Sequence, residues 1–245
     1  EIEAARAEME KKYGRRSDRY NLRPRKPRSY GHLHTLMDDD DLIRHVFDEV
    51  HESLRGLTHQ CLFGMKAKQI TVSTVGASAL RIRQLAEDAP QVCLALSLHS
   101  ARQDSRLKLI PSAMGNDIQS LGQSLDYHAT LTGRGAMLEY LLIDGVNDSE
   151  EEADALVEFC LKRDSNSATG GGKSPSVFVN LIPYNPTLAG DDFGYETPSD
   201  ERIFAFHERL KEHGVKALIR WSSASGRDAD GACGQLALSS LSATK

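Results

Sequence analysis

The feature that most constrains this chain is a set of short apolar runs that lack polar alternation. Val92 to His99 (VCLALSLH), Ala136 to Ile143 (AMLEYLLI) and Val177 to Tyr184 (VFVNLIPY) are nearly continuous in Val, Leu, Ile and Ala. A strand with one wet face alternates apolar and polar residues. A strand without alternation is covered on both faces, which is the habit of parallel sheets. Gln69 to Thr74 (QITVST) and Val215 to Arg220 are shorter runs of the same kind. Helical stretches separate them: Ala79 to Ala89, Asp117 to Leu131, Ser149 to Lys162 with acids behind its first serine, and Ser199 to His213, capped by Ser199 and ended by Gly214. Leu42 to Leu54 sets Leu42, Val46, Phe47, Val50 and Leu54 on one helical face. Strand and helix in alternation predict a parallel α/β architecture, either a barrel or a doubly wound sheet.

At 245 residues the chain suffices for one sizeable domain or a modest (β/α) barrel. Its formal charge of −5 excludes a protein that grips phosphates by overall basicity, so any RNA contact is expected from a local patch. Residues 1–42 stand apart as a charged arm, disordered or partly helical, with ten Lys or Arg and five Asp or Glu up to Tyr30. The stretch 43–245 is expected to form the folded part, interrupted by a Gly/Ser-rich insertion at 164–176 (DSNSATGGGKSPS). No apolar run approaches the roughly 20 residues of a membrane span. The first residue is Glu1 and no signal peptide is visible, which suggests a processed chain or a fragment. Cytoplasmic residence is expected, with an organelle left open.

In parallel α/β proteins the chemistry gathers at the C-terminal ends of the strands. Those ends here offer Ser73-Thr74-Val75-Gly76, then Ser97-Leu98-His99-Ser100. Next come Glu139-Tyr140 with Asp144 to Asp148, then Asn180 with Pro183-Tyr184-Asn185-Pro186, and last Arg220 with the loop that reaches Cys233. Hydroxyl, amide and imidazole groups at one rim suit a polar, nucleotide-like cofactor. The four cysteines, at 61, 93, 160 and 233, lie too far apart for a zinc clip. Cys93 and Cys160 fall within apolar elements and are expected to be core.

ITVSTVG (70–76), LALSLHS (94–100), LEYLLIDGVNDS (138–149), VNLIPYNP (179–186) and GACGQL (231–236) occur in that order. In combination they resemble the radical-SAM methyltransferases that modify carbon 2 of adenosine in 23S ribosomal RNA and in tRNA, the RlmN–Cfr family. The resemblance covers residues 64–238. It implies a partial (β/α) radical-SAM barrel with parallel strands, outer helices and the first strands missing. It implies S-adenosylmethionine as cofactor, with Ser73, Ser97, Leu98, His99 and Asn185 as its contacts. It also implies Cys233 as the residue that carries the methyl group. A thiolate is the sensible carrier, because carbon 2 of adenine is electrophilic and cannot attack a sulfonium methyl group itself. The implied partners are ribosomal RNA or tRNA and an external electron donor; no membrane and a monomer are expected.

The same resemblance implies a [4Fe–4S] cluster held by a CxxxCxxC-type motif. No such spacing occurs among cysteines 61, 93, 160 and 233. The first third of the barrel is therefore expected to be replaced by residues 1–60, and no metal ligand is assigned. The alternative is a non-catalytic remnant that still binds S-adenosylmethionine or RNA.

Overall fold

The computed structural model describes residues 39–167, 177–186 and 193–221. The chain divides into two units, one ending at Ile70 and the other beginning at Thr71. The first holds helix α1, Asp39–Thr58. The expected boundary at 42/43 thus falls inside α1: helical periodicity marks where regular structure starts, whereas the sheet starts at Thr71.

The second unit carries five strands and five helices among the described residues. In chain order they are β1 (Thr71–Thr74), α2 (Ala79–Asp88), β2 (Cys93–Ser97), α3 (Gln103–Leu109), α4 (Ile118–Thr132), β3 (Ala136–Leu142), α5 (Glu150–Ser167), β4 (Val177–Pro183), α6 (Asp200–Glu212) and β5 (Ala217–Ile219). Every neighbouring pair is parallel and the order is β1-β2-β3-β4-β5. A doubly wound sheet reverses its strand order at a switch point; this one never does, which decides for the barrel segment. Parallel crossovers keep one hand, so sequential order puts the helices on one face. They form a single layer there, with α2 against α4, α4 against α5 and α5 against α6.

The two faces of the sheet differ accordingly. Ala136, Leu138, Tyr140 and Leu142 of β3, Leu94 and Leu96 of β2, and Val177, Val179 and Leu181 of β4 are buried under the helices. Each large apolar side chain so covered contributes about 1.5–3 kcal/mol. On the other face Met137, Glu139 and Leu141 are half-buried, Phe178 is partly exposed and Leu218 is 61% exposed.

The helix starts follow local chemistry. The Asp117 carboxylate accepts from Ser120 N–H at 2.6 Å, and the Ser199 hydroxyl accepts from Arg202 N–H at 3.3 Å. Helix α4 packs close to α5 because Gly122 has no side chain. A Cβ there would lie 2.6 Å from the Arg163 guanidinium, which stacks on Phe159 and pairs with Asp126 at 3.1 Å. Helix α5 runs through 164–167, so the first residues assigned to the insertion continue the helix; 168–176 lie outside the described residues. Among the described residues no helix is long and apolar enough to cross a membrane.

Candidate functional site

The site is built where β1, β2 and β3 end. Gly76, at φ +71°, turns the chain out of β1, its N–H bonded to the Thr74 hydroxyl at 3.0 Å. A Cβ at Gly76 would meet Leu121 Cδ2 at 2.8 Å and Leu96 Cδ1 at 2.9 Å. Only glycine fits both that φ and that space.

Beside this turn lies Arg106 of α3, with no exposed surface. Its Nη1 donates to the carbonyls of Ser97, at 3.1 Å, and of Leu98, and its Nη2 donates to the carbonyl of Val75. One guanidinium thus ties the end of β1 to the end of β2. Burial lowers its pKa to about 10, so it remains charged.

After Ser97 the strand bends. The N–H groups of Leu98 and His99 both point to the Glu139 carbonyl, at 2.9 and 3.3 Å. His99 takes the left-handed conformation, φ +58°, as the only described non-glycine residue to do so. Its Nδ1 accepts from Leu141 N–H at 3.0 Å. Burial, and then the Arg106 charge, lower its pKa to about 4, so the ring is neutral. With Nδ1 accepting, the proton sits on Nε2.

Asn147, fully buried in the loop after β3, pins this arrangement. Its Oδ1 accepts from Ile143 N–H at 2.8 Å, and its Nδ2 donates to the carbonyls of His99 at 2.7 Å and Leu141 at 2.6 Å. Under it Glu152, 3% exposed, accepts from the hydroxyls of Ser100 at 2.7 Å and Ser105 at 2.5 Å, with the Tyr140 hydroxyl 3.3 Å away. Burial, and next the Glu152 charge, raise the Tyr140 phenol well above its usual pKa, and its hydroxyl donates to the Asn147 carbonyl at 2.9 Å.

Ser73 pairs with Ala95, one same-face step before Ser97, and Ser97 pairs with Glu139. Both serines therefore lie on the helix-free face. Leu98 has no exposed surface, and its N–H and C=O are both engaged; it holds the turn that presents His99 and offers no side chain to a ligand. Asn185 follows β4 at its C-terminal end and is half-buried. Cys233 lies outside the described residues. Cys160 is buried, as expected of core; Cys93 is half-buried on the helix-free face, 3.2 Å from Arg134 Nη2.

The iron–sulfur cluster does not fit these residues. No three His, Cys, Asp or Glu among the described residues could share a metal ion. The pinning role of Asn147, the place of Glu152 and the clamping role of Arg106 were not apparent from the sequence. The one available signal was an arginine directly before the largely apolar stretch Leu107 to Ile110, close behind a polar strand end.

The geometry defines a class: a segment of a parallel (β/α) barrel with a polar rim on its helix-free face. A radical SAM methyltransferase from Sphaerobacter thermophilus shares it at TM-score 0.63 and 34% identity, over 80% of this chain and 50% of that one. A domain of pyruvate-formate lyase-activating enzyme from Bacteroides vulgatus matches at TM-score 0.51 and 17% identity, over 71% of this chain and 91% of that one, and supports the fold alone. No family model matches the chain. Relatives described as probable dual-specificity RNA methyltransferases RlmN are 36% identical in Thermotoga neapolitana, over 78% of this chain and 50% of theirs, and 39% identical in Synechococcus elongatus, over 74% and 47%. The ribosomal RNA large subunit methyltransferase N of Nitrosopumilus maritimus is 36% identical over 78% and 49%. The chain belongs to this RlmN–Cfr-like family of radical-SAM methyltransferases, and it spans about half the length of the curated relatives it matches.

Proposed function

We propose that this chain carries the S-adenosylmethionine-binding rim of an RNA adenine-C2 methyltransferase, with Cys233 as its methyl-accepting residue. The observation that supports it best is that Ser73 and Ser97 face the helix-free side at the ends of two adjoining strands, with His99 in the turn that follows the second. The hydroxyls of Ser73 and Ser97 suit ribose oxygens, the Nε2–H of His99 suits an acceptor, and Asn185 enters from the end of β4. Bound there, the cofactor would supply an electrophilic methyl group. The Cys233 thiolate would take it, forming a carbon–sulfur bond as the sulfonium–methyl bond breaks, and S-adenosylhomocysteine would leave with the electron pair of that bond. The thiol proton goes to solvent.

No step is routed through the iron–sulfur cluster, because the described residues do not fit it. Transfer of the methyl group to RNA, with ribosomal RNA or tRNA as substrate and an external electron donor, belongs to the longer architecture of the relatives and is proposed only for a protein that contains it. A monomer without membrane attachment, resident in the cytoplasm, accords with this.

The absence of a CxxxCxxC spacing in the sequence favours a second proposal, that the chain binds the cofactor without turning it over. Calorimetry with S-adenosylmethionine and mass spectrometry of Cys233 separate the two. Binding together with a gain of one methyl group at Cys233, abolished by Cys233→Ser, is expected for the first. Binding without that gain selects the second. Absence of binding refutes both.

A further inference from the structure

The His99 imidazole is held on every side except one. Its Nδ1 is occupied by Leu141 N–H at 3.0 Å. Its carbonyl is held by Asn147 Nδ2 at 2.7 Å, and its N–H faces the Glu139 carbonyl at 3.3 Å. Its Nε2 makes no hydrogen bond among the described residues. A left-handed backbone at a non-glycine residue costs about 1–2 kcal/mol. Such strain persists only where the surroundings over-determine it, and it gathers at functional positions.

The strain has a visible consequence. Extended backbone at His99 would carry β2 onward beside β3. The left-handed turn instead folds the ring back over β3, where Nδ1 takes the N–H of Leu141. Asn147 completes the exchange. It occupies the carbonyls of both His99 and Leu141, and it binds Ile143 N–H through Oδ1 at 2.8 Å. All of its hydrogen-bonding groups are used, and all lie on the two strand ends that define the ring's position.

We propose that Asn147 is a positioning residue that locks His99 in its Nε2–H tautomer, so that the ring is a fixed hydrogen-bond donor to an acceptor atom of the cofactor. This rests on the cofactor assignment above for the ligand's identity, while the lock itself rests on the geometry alone. The charged groups on the elements packed around the ring are Arg106 of α3 and Glu139 of β3, with Glu152 of α5 behind Ser100. Arg106 has its Nη atoms committed to carbonyls, and Glu139 lies one same-face position before Leu141. A fixed neutral donor differs from a histidine free to titrate: it gives the same hydrogen bond at every pH near neutrality.

The test uses the full chain labelled with ¹⁵N at histidine. Long-range proton–nitrogen correlation is expected to show His99 as a single neutral Nε2–H tautomer, unchanged from about pH 5 to about pH 8. An Nδ1–H tautomer, a mixture, or an imidazolium in that range overturns the lock. S-adenosylmethionine is expected to shift Nε2 and leave Nδ1 unmoved. Asn147→Asp keeps the acceptor for Ile143 N–H but sets a carboxylate against two carbonyls; the His99 signal is expected to split between tautomers. Two further variants keep the test valid if that one misfolds. His99→Asn retains an acceptor near Nδ1 but no outward donor, and is expected to weaken cofactor binding about tenfold, the worth of one hydrogen bond. His99→Gln retains a donor near Nε2 and is expected to bind within a few-fold of the wild type. Equal losses in both variants refute the donor role. A correct tautomer with no binding of S-adenosylmethionine to the wild type sinks the cofactor assignment and the donor role, and leaves the lock standing. Binding with the wrong tautomer sinks the lock and the donor role, and leaves the cofactor assignment standing.

Discussion

Gly76→Ala tests whether the turn after β1 is set by space or by backbone conformation. Gly76 has φ +71°, and Gly145, in the loop after β3, has φ +64°. Both substitutions therefore meet the same left-handed penalty, about 1–2 kcal/mol, offset by about 0.4–1 kcal/mol from the stiffer unfolded chain. They differ in surroundings. A Cβ at Gly145 has nothing within 4 Å, whereas at Gly76 it lies 2.8 Å from Leu121 and 2.9 Å from Leu96. Both leucines are wholly buried, one on α4 and one on β2, so neither has free volume to move into. Overpacking of this kind costs about 1–3 kcal/mol. Thermal unfolding followed by circular dichroism is expected to place Gly76→Ala below Gly145→Ala by about 2–12 °C, at about 2–4 °C per kcal/mol for a domain of this size. Equal midpoints would show that the two leucines repack without strain, and the close-approach argument for Gly76 would be refuted.

The remaining predictions concern the buried polar groups. His99 has its pKa depressed from 6.5 to about 4, so the unfolded chain binds the extra proton first as pH falls. Stability is then full above about pH 6.5 and is lost progressively toward pH 4, by about 3 kcal/mol in total; urea midpoints across that range should fall more steeply in wild type than in His99→Gln. Glu152→Gln keeps one acceptor but sets an amide donor among three hydroxyls, and is expected to cost about 1–2 kcal/mol in denaturant unfolding. Arg106→Lys keeps the charge but cannot span the carbonyls of Val75, Ser97 and Leu98; a loss of about 2–3 kcal/mol is expected by the same assay. Gly122→Ala should displace the Arg163 guanidinium and abolish the coupling between Arg163 and Asp126 in a double-mutant cycle.

The sheet was legible because its central strands are apolar on both faces in sequence, although the helix-free face of β3 is only half-buried. VCLALS and AMLEYLL show almost no polar alternation, and the alternative of a lone helix fails on length. The strand ends were legible for the converse reason: Ser97, His99 and Asn185 stand where an apolar run stops. Helix α3 was not foreseen. Asp104, Arg106 and Lys108 fall at every second residue, which suits neither an amphipathic helix nor a loop, and its start at Arg102 has no side-chain cap. Arg106 turns inward to carbonyls that come from β1 and β2, up to 31 positions away. Asn147 was visible as part of DGVND but not as a peg, because its partners at 99 and 141 are set by strand register and not by local spacing. Register becomes known only once the sheet order is known.

The buried Arg106 holds the ends of β1 and β2 through backbone carbonyls, not through a carboxylate partner. The ends of β1 and β2 leave the carbonyls of Val75, Ser97 and Leu98 without ladder partners, and an unpaired buried carbonyl costs about 1–3 kcal/mol. Water could satisfy them only by entering the core beneath Gly76. The guanidinium does so instead, with donors in a fixed fork that three separate hydroxyls could not match. A carboxylate partner would compete for those donors; burial lowers the pKa only to about 10, so the guanidinium stays charged at neutrality. The positive charge then acts on its neighbour. Burial first, and then that charge, disfavour imidazolium at His99, so the group that fixes the strand ends also helps to keep neutral the residue they present. Structural support and ligand chemistry at this rim are therefore one arrangement, and a substitution at Arg106 should register at His99 in the nitrogen spectrum even when the fold survives.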